Sequence, residues 1–259
     1  MQEAIERAIS IMWERYNEPL SLDMMANSAF LSRFYFSRLF RATTGTSPAR
    51  FLAAIRLYQA KTQLRETAYT VTDIAYNVGY NSLGTFISRF TRSVGVSPAR
   101  YRSLAQAGMP RLPRENTGAE PGGMICGRLE LPAEAAISRV YVGVFRTSIV
   151  EGVPLACHVV DGDGFFMLPG VPAGQWFLRA AAVSQQADAS PGTGRMQAKA
   201  VAAHDNVRVV AGATIKVDLT LHTVSDFDLP ILIALPELDS LAPRSSRKRA
   251  PRLETRLAG

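Results

Sequence analysis

The first hundred residues carry one pattern twice, and this repeat constrains the fold more than any other feature of the 259-residue chain. Ser21, Leu22, Met25, Ala26 and Ala29 recur 49 residues later as Thr70, Val71, Ile74, Ala75 and Val78. Each set is a hydroxyl residue followed by an apolar stripe at helical spacing, the mark of an N-capped, one-sided helix. Thr70 and Asp73 also have the spacing of a capping box, in which hydroxyl and acid satisfy each other's backbone amides. Further along, the offset becomes 50: Phe36, Phe40, Gly45, Ser47, Pro48, Ala49, Arg50 and Phe51 match Phe86, Phe90, Gly95, Ser97, Pro98, Ala99, Arg100 and Tyr101. Each copy therefore reads as a short helix, a turn, and a second helix stopped at a glycine suited to a left-handed C-cap. Ser-Pro then opens the next helix, with Ser as N-cap and Pro at the first helical position. This predicts two helix-turn-helix units. Their turns differ, AFLS (29–32) in the first and VGYNS (78–82) in the second, where Gly79 fits the usual turn position.

Residues 48–66 between the copies read as one uninterrupted helix, with Phe51, Ile55 and Tyr58 on one row and Leu57, Ala60 and Leu64 on another. Nineteen residues at 1.5 Å each span roughly 28 Å, close to the roughly 34 Å between successive major-groove faces on one side of B-DNA. A rigid connector of that length can hold two recognition helices in adjacent major-groove segments. Ahead of the repeats, Ile5, Ala8, Ile9, Met12, Trp13 and Tyr16 form one amphipathic stripe. Phe36, Phe40, Phe86 and Phe90 are expected in the core.

The texture changes near residue 107. AGMPRLPRENTGAEPGG (107–123) is rich in Pro and Gly and reads as a linker; beyond it the periodicity is two. Val140, Val142 and Val144 interleave with Tyr141, Gly143 and Phe145, and strands are expected at 124–130, 138–146, 154–160, 164–168, 174–184, 205–210 and 214–222, with DGDG (161–164) as a hairpin turn. The domains predicted are thus 1–106, all-α; 107–123, linker; 124–240, an all-β sandwich; and 241–259, a basic disordered tail containing SSRKRAPR (245–252). Charge follows the same division: residues 1–107 hold 13 basic against 7 acidic side chains, and 122–240 hold 8 against 12. A polyanionic partner is expected for the helical part only.

Several classes of protein are disfavoured. With 47% hydrophobic residues the chain can bury a core, and two cysteines, Cys126 and Cys157, make no disulfide framework. MQEAIERAIS at the N-terminus lacks the apolar run of a secretory leader, and LPILIALP (229–236) is too short to span a bilayer, so a soluble, cytoplasmic protein without membrane contact is expected. His158, His204 and His222 lack metal-ligand spacing; no Walker loop, GxSxG or dinucleotide fingerprint is present, and no catalytic residue, cofactor or metal is predicted. Neighbouring Cys157 and His158 should point to opposite faces of a strand, the expectation being a packed Cys and a surface His. Asp161 and Asp163 read as turn residues rather than calcium ligands.

Residues 3–103 resemble the DNA-binding domain of the AraC/XylS family of bacterial transcription regulators. The resemblance is carried by EPLSLDMMANSAFLSRFYFSRLFRATTGTSPARFLAAIRLYQAKTQL and, more specifically, by VTDIAYNVGYNSLGTFISRFTRSVGVSPARYR. It implies seven helices bearing the two helix-turn-helix units, with the N-terminal part of each second helix reading base edges. In the first unit these positions fall on Phe34, Ser37 and Arg38; Arg38 suits a bidentate pair with guanine and Phe34 a thymine methyl. In the second they fall on Leu83, Gly84, Thr85, Ile87 and Ser88. Ser88 stands where the family often has arginine, so readout there would rest on methyl, hydroxyl and shape contacts. Arg33, Arg41, Arg50, Arg89, Arg92 and Arg100 are candidates for phosphate contact, with solvated surface as the alternative. The chain departs from many members in carrying its extra domain after the DNA-binding domain.

VVDGDGFFMLPGVPAGQWFLRAAAV (159–183) and AGATIKVDLTL (211–221) resemble carboxypeptidase-regulatory-like, transthyretin-type β-sandwiches, which have no single function. The reading is a sequence-specific transcription regulator that binds double-stranded DNA and carries a sensor or dimerisation module, open to a small-molecule effector at the β domain. Contact with RNA polymerase, hence activation, is the family tendency; monomer and homodimer remain open. The alternative is an enzymatic or carbohydrate-binding β module with an autoregulatory DNA-binding domain.

Overall fold

Hydroxyl caps and glycine stops divide the helical half where the repeat places them. The computed structural model describes residues 1–107, 122–132, 139–148, 150–160, 164–183 and 198–232. Seven helices come first: α1 (Gln2–Glu14), α2 (Leu22–Ser28), α3 (Arg33–Thr44), α4 (Pro48–Glu66), α5 (Val71–Asn77), α6 (Leu83–Val94) and α7 (Pro98–Ala107). The side chains of Ser21, Ser32, Thr70 and Ser82 each accept from the backbone N–H three residues on, and the Thr70–Asp73 capping box is complete. Gly45 and Gly95 end α3 and α6 in the left-handed conformation. Residues 48–66 form α4 without interruption.

The two turns share one backbone despite their different sequences. Leu31 N–H donates to the Ala26 carbonyl and Tyr80 N–H to the Ala75 carbonyl, both at 3.0 Å. This is the six-to-one bond of a Schellman motif, which needs a left-handed residue just before the donor. That residue is Gly79 (φ 84°) in the second turn and Phe30 (φ 56°) in the first. A Cβ at Gly79 would lie 2.9 Å from the Asn17 carbonyl oxygen, so glycine is needed there for space as well as for φ. Phe30 meets no such neighbour: its side chain is exposed, with the Arg7 guanidinium 5.3 Å above its ring.

The second half forms two sheets that share one core. The strands are β1 (Gly123–Glu130), β2 (Arg139–Phe145), β3 (Ala156–Val160), β4 (Phe165–Val171), β5 (Gly174–Val183), β6 (Ala198–Val209), β7 (Thr214–Lys216), β8 (Leu219–Thr220) and β9 (His222–Thr223). One sheet has β1 between antiparallel β4 and parallel β7, with β8 also pairing β1; the other is antiparallel in the order β3-β2-β5-β6-β9. Ile125, Leu129, Phe166 and Leu168 from the first sheet pack with Val142, Val144, Leu178 and Ala180 from the second.

Three sequence expectations are corrected here. The strand expected at 205–210 begins at Ala198 and pairs along β5 through Ala180–Ala202 and Ala182–Ala200; alanine has little strand propensity of its own, so the pattern hides it. The strand expected at 214–222 is three short pieces: β7 and β8 both follow β1, separated where the Asp218 side chain accepts from Arg128 N–H, and the chain then leaves β1 at Leu221 and joins β6 at His222. Cys157 and His158 do face opposite ways, but His158 is the buried one and Cys157 is partly exposed. His158 Nδ1 accepts from Met167 N–H at 3.2 Å, a link from β3 to β4 across the two sheets.

The outer face of the five-stranded sheet is also covered. Tyr141, Phe145, Ala181 and Val183 are buried there, with Ile231 packed against them. After β9 a strap follows, turned by the Asp228 carboxylate, which accepts from Ser225 N–H at 2.8 Å and Ser225 hydroxyl at 2.9 Å. Phe227 and Leu229 pack on the core of the first helix-turn-helix unit, Leu229 and Leu232 on that of the second, and Lys61 Nζ donates to the Ile231 carbonyl at 3.2 Å. Gly152 N–H donates to the Ser93 carbonyl at 3.1 Å. Residues 108–121 of the expected linker, 161–163 of the expected hairpin turn with Asp161 and Asp163, 233–240, and the expected tail 241–259 lie outside the described residues.

Local geometry and burial give three predictions. An ordinary residue in the left-handed region costs about 1–2 kcal/mol, which asparagine largely escapes, so Phe30→Asn should stabilise by about 1 kcal/mol in urea unfolding. Gly79→Ala should destabilise by at least about 2 kcal/mol, from strain and the Asn17 contact together. Burial lowers the pKa of His158. The folded chain therefore binds fewer protons than the unfolded one below the ordinary histidine value of about 6.5. Stability from this site is complete above that value and declines as pH falls through it toward the depressed folded pKa. His158→Gln should remove this part of the pH dependence when unfolding is compared above and below the window.

Candidate nucleic-acid interface

Aromatic packing sets the rotation of the two recognition helices. On α3, Phe36 and Phe40 are fully buried and stack toward Phe51 with ring centroids 5.5 and 5.4 Å apart. On α6, Phe86 and Phe90 are buried in a chain from Tyr80 to Tyr101, at 5.3, 5.6 and 5.8 Å. With these faces turned inward, the opposite faces point out. Phe34 is 74% exposed, a large ring held in solvent, and the Arg38 guanidinium sits 5.7 Å from its centre. Arg38 is exposed and Ser37 half-buried; on α6, Gly84, Thr85, Ile87 and Ser88 are exposed and Leu83 half-buried.

A groove of about 640 Å³ runs between α3, α4 and the second unit. It brings together Phe34, Ser37, Arg38 and Arg41 from the first unit with Tyr80 and Arg89 from the second. Leu83, Gly84, Thr85, Ile87 and Ser88 lie outside this groove, on the surface of α6. The other arginines are dispersed. Arg33 pairs with Asp23 at 3.1 Å on the surface, and Arg100 is exposed in the first turn of α7. Arg50, Arg89 and Arg92 line a second hollow shared with the β region, where Arg92 lies 3.4 Å from Glu151.

The sequence pattern does not single out Arg56, yet this residue orders the groove. Its Nε donates to the Tyr16 carbonyl and a terminal nitrogen to the Glu18 carbonyl, both at 2.7 Å. Half-burial lowers its pKa; guanidinium stays charged all the same. The carbonyls belong to the loop after α1, whose Tyr16 packs into both helical cores and whose Asn17 touches the Gly79 turn. An arginine set between two apolar rows carries no periodic signal of its own; only its flanking Ile55 and Leu57 hint that it is not a surface residue. Tyr80 is buried beside Arg56 and Arg89, its pKa raised by burial, and its hydroxyl has no partner among the described residues.

Comparison with known proteins falls on this same region. A helix-turn-helix domain family model matches residues 25–103. The regulatory protein SoxS of Salmonella typhimurium is 33% identical over 101 residues, which is 39% of this chain and 94% of SoxS. The chain belongs to the AraC/XylS family. As a member it is a sequence-specific DNA-binding transcription regulator. The transposon Tn10 TetD protein of Escherichia coli is 36% identical over 94 residues, covering 36% of this chain and 68% of that protein. The solved DNA-binding domain of AdpA in complex with a target DNA is 31% identical, covers 40% of this chain and 93% of its own, and has a TM-score of 0.39. The family match ends at residue 103, ahead of the β-rich region. Among the described residues, no helix is long and apolar enough to cross a membrane.

Arg56→Ala removes two charge-assisted bonds and strands two carbonyls between the units. It should cost about 2–3 kcal/mol in urea unfolding, whereas Arg33→Ala, which loses only a surface pair, should cost well under about 1 kcal/mol.

Proposed function

We propose that this AraC/XylS regulator sets α3 and α6 into two successive major-groove segments of a bacterial promoter, and that its β region adjusts the binding. The observation that carries this reading is the shared orientation: equivalent aromatic pairs turn the two recognition helices outward on either side of a 19-residue connecting helix. Arg38 reads a guanine and Phe34 a thymine methyl, with Ser37 beside them; Leu83, Gly84, Thr85, Ile87 and Ser88 read the second segment by shape, methyl and hydroxyl contacts. Arg33, Arg41, Arg50, Arg89, Arg92 and Arg100 supply phosphate contacts that position the protein without reading sequence. Arg92 also lies 3.4 Å from Glu151, so the β region shares this guanidinium with any phosphate it meets.

Residues 124–240 serve as a transthyretin-type β-sandwich that senses or dimerises, supported by the two sheets with their common core. The protein acts in the cytoplasm without enzymatic chemistry of its own, and activation would run through contact with RNA polymerase. A ligand or partner shifts DNA binding to the extent that it favours one state over the other.

The test is a footprint of the full chain on its own upstream region at two salt concentrations. Protection of about two helical turns with two major-groove contacts supports the reading; diffuse, salt-sensitive coverage without a preferred site counts against it. Arg38→Ala should cost about 1–3 kcal/mol on the specific site and relax preference at one base pair. Equal loss on specific and random DNA would reassign Arg38 to the backbone.

A further inference from the structure

A second cavity, of about 620 Å³, lies between the helical half and the outer face of the five-stranded sheet. That is within the range of about 300–1,000 Å³ usual for small-ligand sites. One wall is apolar, formed by Tyr141, Phe145 and Ala181 of the sheet with Ile231 of the strap. The opposite wall is the N-terminal half of α4, the end of α3 and the C-terminal half of α6, and it carries Arg50 and Arg89.

The charges of the lining do not balance once pairs are removed. Glu151 is engaged by Arg92, Asp205 by Arg179 at 2.7 Å, and Asp228 by His222 and Ser225. Arg50 and Arg89 have no hydrogen-bond or ion-pair partner among the described residues. The cavity thus offers a broad apolar wall faced by two uncommitted guanidiniums, and guanidinium is the side chain best shaped for a bidentate carboxylate.

We propose that this cleft binds a small organic anion with an apolar body, an aromatic or medium-chain carboxylate, whose acid group is held by Arg50 and Arg89 and whose body lies on Tyr141 and Phe145. The inference rests on the reading that the β region adjusts DNA binding, and it supplies the coupling. Arg89 borders both this cleft and the groove that holds Phe34 and Arg38. A carboxylate in the cleft therefore competes with DNA phosphate for the same guanidiniums, and the ligand lowers DNA affinity.

Calorimetric titration of the full chain without DNA tests the site, using 1-naphthoate, octanoate and the neutral 1-naphthamide as probes. At least one acid should bind at or below about 1 mM, at least about tenfold more tightly than the amide. Arg50→Gln and Arg89→Gln, both on the surface, should keep the melting temperature and weaken the acid about tenfold. Ala181→Leu, on the sheet wall, should weaken it by filling space while touching no residue assigned to DNA. Equal binding of acid and amide, no saturable binding of either acid, or indifference to both arginine changes overturns the site. In the footprint assay, saturating acid should weaken protection and lower the salt slope by about 1–2. Binding without any change in DNA affinity overturns the coupling and leaves the ligand site standing. A chain that binds the acid but shows no specific footprint under any condition sinks the promoter reading and not the cleft, because the titration contains no DNA.

Discussion

Two bonds from one guanidinium tie the loop between the two helix-turn-helix units to the helix that connects them. Arg56 leaves the middle of α4 and fixes the loop after α1 through the carbonyls of Tyr16 and Glu18. That loop is wedged between the two helix-turn-helix units, with Tyr16 in both cores and Asn17 against the Gly79 turn. Backbone carbonyls removed from water must find donors, and a forked, always-charged donor serves two at once. Without it, α4 would still pack into both cores, but the loop wedged between the units would lose the two bonds that tie it to α4. The angle between α3 and α6 is what decides whether both can meet one duplex.

The same logic extends to the β region, whose strap after β9 packs on the helical cores. A sheet facing solvent on its outer side alternates apolar and polar residues. β2 is instead buried on both faces, valines inward and Tyr141 and Phe145 outward. The strap completes the contact, since Leu229 touches the cores of both units and its neighbours Phe227 and Leu232 take one each. The strap therefore contacts the cores of both helix-turn-helix units. The hollow left beside it is where charge on the helical side exceeds what the β side neutralises.

Much of this was legible in the residues. The offset repeat predicts both helix-turn-helix units, their caps and the 48–66 connector because capping and helical periodicity are local, decided within four or five residues of each other. The β half was less legible. Alanine-rich β6 is a strand because β5 lies beside it, and the 214–222 stretch changes sheets at Leu221 for reasons that lie in β1 and β6. His158 and Cys157 lie on opposite faces, as strand alternation requires, but with their environments exchanged, since alternation fixes which side chains share a face and leaves open which face is covered. Among the candidate site residues, Phe34, Ser37 and Arg38 come together in one groove, while the six arginines divide between that groove, the cleft and open surface.

By itself, then, the sequence determined the helices, their boundaries, the doubled motif and the family it marks, because each rests on interactions between near neighbours in the chain. Tertiary structure alone decided how the two units are oriented, which arginines face the groove and which the β region, and that residues 227–232 belong to the helical cores as much as to the sheet. Those outcomes depend on contacts such as Arg56 with Glu18, Lys61 with Ile231, and Arg92 with Glu151. Their partners lie dozens of residues apart, and no periodicity records a contact across that distance.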